Sequence, residues 1–89
     1  MRQRYLEVTF RKGKPLAAYL YLPRQTGVKS ARTIEAAAGV LVDYAPSGEP
    51  IGLEITAPAH ITIDQINTVL GTLGLAAMLP EEFAPLHAA

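Results

Sequence analysis

The chain contains no cysteine and only two histidines, His60 and His87. Disulfides and thiolate metal sites are excluded, and a structural zinc site is left without its usual Cys/His ligand set. No apolar run approaches the ~18 residues of a membrane-spanning helix, and "MRQRYLEVTF" (residues 1–10) lacks the apolar stretch of a signal peptide. A cytoplasmic protein with no membrane partner is the expectation. The seven glycines form neither a G-x-G-x-x-G fingerprint nor a P-loop. The two serines, Ser30 and Ser47, lie in no G-x-S-x-G elbow. No Lys or Arg occurs after residue 34.

That last absence exposes a polarity beneath a net charge of zero. Residues 1–34 carry all eight basic side chains and one acid, Glu7, a net +7; the remainder carries seven acids, a net −7. Such asymmetry can mark a nucleic-acid or acidic partner. Its plainer meaning is that basic and acidic strands lie side by side in one sheet and their fields cancel. With 89 residues and 49% hydrophobic side chains, one small domain is expected. Burial at that size is incomplete, and a second subunit would add core.

Alternation in "RYLEVTF" (4–10) predicts a strand with Leu6, Val8 and Phe10 on one face. "RKGKP" (11–15) reads as a turn, with Gly13 supplying positive φ and Pro15 ending the pairing. "LAAYLYL" (16–22) is apolar on both faces, with Tyr19 and Tyr21 opposite Leu20 and Leu22. "VKSARTIEA" (28–36) is a third strand whose faces are not cleanly sorted. "GVLVDYAPSGEPIGLEI" (39–55) is a hairpin turning on Pro46 and Gly48. Matching its apolar faces pairs Val40 with Ile55, Val42 with Leu53 and Tyr44 with Ile51. Beyond residue 60 the period becomes helical: Ile63, Ile66, Leu70 and Leu73 form a stripe. Thr62 and Gln65 form a capping box and Gly74 closes the helix, while Gly71 suggests close approach to the sheet. "PEEFAPL" (80–86) reads as a short turn folding Phe83 and Leu86 back, with a loose tail after it. The expected class is α+β: about five antiparallel strands in a meander-like sheet (1–57), then one C-terminal helix (62–74) packed on it and a short turn (80–86).

Three sets of residues are candidates for chemistry. Asp43 and Glu54 share the outer face of the hairpin as diagonal neighbours, roughly 5.5–8 Å apart. Two carboxylates at such a distance can act as acid and base or hold a divalent ion. They can equally face water or pair with Lys29 or Arg32. His60 and Asp64 lie four apart at the helix start without a nucleophile beside them. Arg2, Arg4, Arg11, Lys12 and Lys14, with Arg24, form a basic cluster that can follow a phosphate backbone beside Tyr5 or Tyr19. No helix-turn-helix, RNP-type or zinc pattern accompanies it.

"ARTIE…GVLVDYAPSGEPIGLEI" resembles a family of small bacterial domains of unknown function, marked by a V-x-V-D-Y-x-x-x-G-x-x-x-G-[IL]-E-[IL] hairpin. "AAYLYL" looks like the counterpart of the family's "D-A-L-Y-I" strand. Ala17 or Ala18 stands in place of its Asp, and Ala45-Pro46 replaces the Asp common in its turn. The likeness covers about residues 5–57. It implies a small β-rich domain with no known catalytic residues; some members look like the smaller partner in toxin–antitoxin-like gene pairs, which points to a protein partner encoded nearby, and the two missing aspartates make this chain a poor candidate for metal binding.

The reading is therefore a non-enzymatic domain with no cofactor, catalytic residue or metal ligand, acting as a homodimer through protein–protein contacts. Its candidate interaction surface is Tyr5, Tyr19, Tyr21, Arg11, Lys12 and Lys14. The alternative is an antitoxin-like or regulatory module that binds nucleic acid through the basic N-terminal strands, though nucleic acid is not the partner expected first.

Overall fold

A computed structural model describes residues 3–24 and 27–87. Arg2 of the basic cluster and the tail residues Ala88 and Ala89 lie outside them. Five strands form one antiparallel sheet: β1 (Tyr5–Arg11), β2 (Lys14–Tyr21), β3 (Arg32–Ala37), β4 (Val40–Tyr44) and β5 (Pro50–Ile55). Their order across the sheet is β1-β2-β5-β4-β3. The sheet is thus no simple meander. A β1–β2 hairpin joins a three-stranded β3–β4–β5 meander through an antiparallel β2–β5 seam. Burial explains the order. The strands richest in apolar residues, β2, β4 and β5, take the middle, where both edges are paired. β3, whose faces the sequence leaves unsorted, is exposed along most of its length and takes an edge.

The first hairpin turns on Lys12 (φ +53°) and Gly13 (φ +77°), the paired positive φ values that a two-residue turn needs to follow the strand twist. Pro15 does not end the pairing. It lies opposite Phe10 inside β2, where the register shifts between Thr9 and Phe10; such a bulge is where a sheet tolerates proline. In the β4–β5 hairpin Val40↔Ile55, Val42↔Leu53 and Asp43↔Gly52 pair as apolar matching predicts. Tyr44 instead faces Pro50 across a bulge, which lets the turn close with Gly48 N–H on Ala45 O at 2.8 Å.

Helix α1 (Ile63–Thr72) begins on the Thr62–Gln65 capping box, its two bonds 2.8 and 3.1 Å long. It ends at Gly74 (φ +73°), where Leu75 N–H returns to Leu70 O at 2.9 Å. A second helix, α2 (Pro80–Phe83), and 3-10 turns at Pro58–His60 and Ala84–His87 accompany it, where the sequence suggests one helix and a turn. All of them roof the same side of the sheet. Ile61, Ile66, Val69, Leu70, Met78, Phe83 and Leu86 meet Ala18, Leu20, Leu22, Val40, Val42, Leu53 and Ile55 in one core. Asn67 ties α1 to the segment after it, accepting from Met78 N–H at 2.7 Å and donating to Met78 O. His87 is held rather than loose: its Nε2 lies 2.8 Å from Ile61 O and its ring meets Phe83 edge-on.

Gly71 does not mark a close approach. It is exposed, and a Cβ there would meet nothing. Gly71→Ala is therefore expected to raise stability by about 1 kcal/mol, the helix-propensity gap alone, as read by urea denaturation.

Candidate interaction surface

The sheet face turned away from the helices carries Tyr5, Glu7 and Thr9 of β1 and Ala17, Tyr19 and Tyr21 of β2. Tyr5, Tyr21, Gly52, Asp43 and Thr33 form one row across it, and Glu7, Tyr19, Glu54, Leu41 and Glu35 the next. Tyr5 stacks on Tyr21 with ring centroids 4.6 Å apart, and Tyr21 meets Tyr19 edge-on at the same distance. All three predicted tyrosines are therefore one aromatic cluster. Arg24 flanks it, its guanidinium 5.5 Å from the Tyr21 ring centroid and its Nη2 donating to Ile51 O at 2.7 Å.

Asp43 is half-buried and its carboxylate is engaged twice. Tyr19 Oη donates to Oδ2 at 2.7 Å, and Thr33 Oγ1 donates to Oδ1. Tyr19 reaches Asp43 by lying across Gly52, the one residue type that leaves room for its ring. Burial pushes the Tyr19 phenol well above its ordinary value, and the Asp43 carboxylate raises it further by hydrogen bond and charge, against a smaller lowering by Arg24. Tyr21 is raised too, by desolvation and then by Glu7, whose Oε1 accepts from its hydroxyl at 3.2 Å. Asp43 thus has neither of the ion pairs the sequence allows: Arg32 lies over the Tyr44 ring at 5.2 Å, and Lys29 precedes β3. The Tyr19–Gly52–Asp43 arrangement escaped sequence reading. Its only trace was a glycine inside an otherwise regular strand, which signals a close approach.

The basic cluster is divided. Arg4 ties β1 to the C-terminal segment, donating to Ala76 O, Ala77 O and Glu82, with an ion pair of 3.2 Å. Arg11, Lys12 and Lys14 stand exposed at the hairpin tip, roughly 20 Å along β1 from Tyr5 at strand rise. His60 and Asp64 are both exposed, His60 lining a shallow hollow with Ala38, Gly39, Ala57, Ile61 and Gln65. Among the described residues no three His, Cys, Asp or Glu side chains are placed to hold a metal, and no helix is long and apolar enough to cross a membrane.

The Arg4 strap makes a pH prediction. Its hydrogen bond holds the Glu82 carboxyl below the usual range, with help from Leu79 N–H at 2.9 Å. A lowered folded value means stability that is present above the ordinary carboxylate pKa and lost as pH falls through the folded one. Glu82→Gln should cost under about 1 kcal/mol at neutral pH, because the pair is partly exposed. Urea titrations at stepped pH should show that deficit closing below about pH 4.3; a deficit that persists in acid would remove the ionic account.

This fold defines a small α+β domain: an open five-stranded antiparallel sheet, roofed on one face, with no helix among the described residues on the other. Comparison with family models, with curated proteins and with solved structures returns no match.

Proposed function

We propose that the chain is a non-enzymatic domain that acts through protein–protein contact as a homodimer, using its β1–β2 hairpin. One observation carries this. Tyr5 (51% exposed), Phe10 (49%) and Leu16 (51%) are three of the five large hydrophobics left exposed among the described residues, and all three belong to that hairpin. Exposed apolar surface gathered on one element marks a contact site more often than scattered residues do. Tyrosine is also a side chain that interfaces favour. The resemblance of the 39–55 hairpin to a family of small bacterial domains supports the same reading, and with it a partner encoded beside the gene. Size-exclusion chromatography with light scattering tests the proposal: a dimer mass is expected, and a strictly monomeric protein at micromolar concentration would remove it.

The exposed Arg11, Lys12 and Lys14 favour a second reading, binding of nucleic acid at the hairpin tip. Three phosphate contacts give a log–log salt slope of only about −2 to −3. Fluorescence anisotropy at low and then raised salt separates this reading from the first.

A further inference from the structure

We propose that two copies join edge to edge through β1, antiparallel and in one register, with Val8 of each chain on the two-fold axis, making a continuous ten-stranded sheet. The proposal rests on the homodimer reading above and specifies its interface.

Among the described residues β1 is an outer strand with no strand neighbour on one side. A bare edge presents unpaired N–H and C=O groups, and proteins blunt such edges with bulges, proline or charge. β1 has little of this. Its sequence YLEVTFR is rich in strand formers, has no glycine or proline, and balances one acid with one base. The other edge, β3, has the same charge content, with Arg32 and Glu35, but its own backbone is bulged at Ala36, whereas the irregularity of the first hairpin lies on β2 and leaves β1 continuous.

A two-fold axis through a strand pairs residues whose numbers sum to a constant, and facing residues share a sheet side. Centring on Val8 uses all seven residues of β1 and opposes complementary side chains throughout. Leu6 faces the partner copy's Phe10, covering a ring that is half exposed in the single chain. Glu7 faces a threonine, and Val8 faces itself. Tyr5, exposed beyond its stack on Tyr21, faces an arginine, the cation that aromatic faces attract. Within the seven pairs of β1 no like charges face each other. The register also explains how Tyr5 and Arg11, at opposite ends of one hairpin, belong to a single interface: each end of β1 lies beside the other end in the second copy. On β3, centring on Glu35 sets two carboxylates against each other on the axis, and centring on Ile34 runs the pairing into the bulge at Ala36.

A charge swap tests both the interface and the register. Thr9→Glu sets a carboxylate opposite Glu7 twice across the axis and is expected to weaken dimerisation about tenfold in sedimentation equilibrium. Glu7→Lys combined with Thr9→Glu sets lysine opposite glutamate and should restore the wild-type constant. Thr9 is exposed, and circular dichroism reports whether each variant folds. On the wild-type protein, amide hydrogen exchange along β1 should slow as concentration rises, a readout independent of any variant. A dimer indifferent to Thr9→Glu, a loss without rescue by the double variant, or β1 exchange that ignores concentration would overturn this register while leaving the dimer standing. A monomeric wild-type protein would overturn both.

Discussion

Leu53→Ala is expected to remove about 2–5 kcal/mol of stability and lower the thermal midpoint by roughly 10 °C or more. Leu53 is fully buried on β5, the central strand. It sits between Leu20 of β2 and Val42 of β4, in the core shared with Ile66 and Leu70 of α1. Neighbours on three sides belong to regular elements that cannot collapse inward, so the deleted methyls leave a cavity rather than a repacked core. A chain of 89 residues has about 4–13 kcal/mol to lose, so this one change takes a large share. Leu79→Ala is the control: Leu79 is 58% exposed, and its loss should stay within about 0.5 kcal/mol. A Leu53→Ala melt that tracks the control would mean the centre of the sheet is not where the fold is held.

The strands that specify the core were readable because their burial is one-sided and period two expresses it. Val40, Val42, Leu53 and Ile55 could be assigned to one face, and their pairing deduced, from the apolar pattern alone. The helix was readable for the same reason, together with local chemistry at its ends, Thr62–Gln65 and Gly74, that needs no tertiary contact. What the pattern does not encode is which strands become neighbours when they are distant along the chain. β2 and β3 follow one another, yet β5 intervenes between β2 and β4. Side-chain alternation is the same whichever strand lies alongside, so the pattern alone gives a meander and leaves the β2–β5 seam unspecified. Arg4 illustrates the same gap at the level of charge. Its sequence neighbours made it part of a basic patch, whereas its spatial neighbours, Ala76, Ala77 and Glu82, make it a strap. The candidate surface was recoverable in part: Tyr5, Tyr19 and Tyr21 alternate on a visible period, but the carboxylate that engages Tyr19 comes from a strand two places away.

Gly52→Ala is expected to cost about 1–3 kcal/mol, against the usual rule that alanine suits a strand better than glycine by about 0.5–1 kcal/mol. The rule fails here because the added Cβ overlaps the Tyr19 ring and hydroxyl. Tyr19 must swing off the sheet, abandoning its 2.7 Å bond to Asp43 and its edge contact with Tyr21. The sign of the change therefore depends on residue 19. In a Tyr19→Ala background the same Gly52→Ala change meets no ring and should stabilise by about 0.5–1 kcal/mol, a coupling that a double-mutant cycle measures directly. Alkaline titration gives a second readout. The Tyr19 phenol is raised above its ordinary value of 10.0, so its contribution is complete below that pH and is lost as pH rises through the folded value. Phenolate absorbance in the wild-type protein should show Tyr19 ionising last, after the less strongly raised Tyr21, and in Gly52→Ala that last group should return toward the ordinary range. Superimposable titration curves, or equal costs of Gly52→Ala in the two backgrounds, would show that the bare face of the sheet is not organised around this glycine.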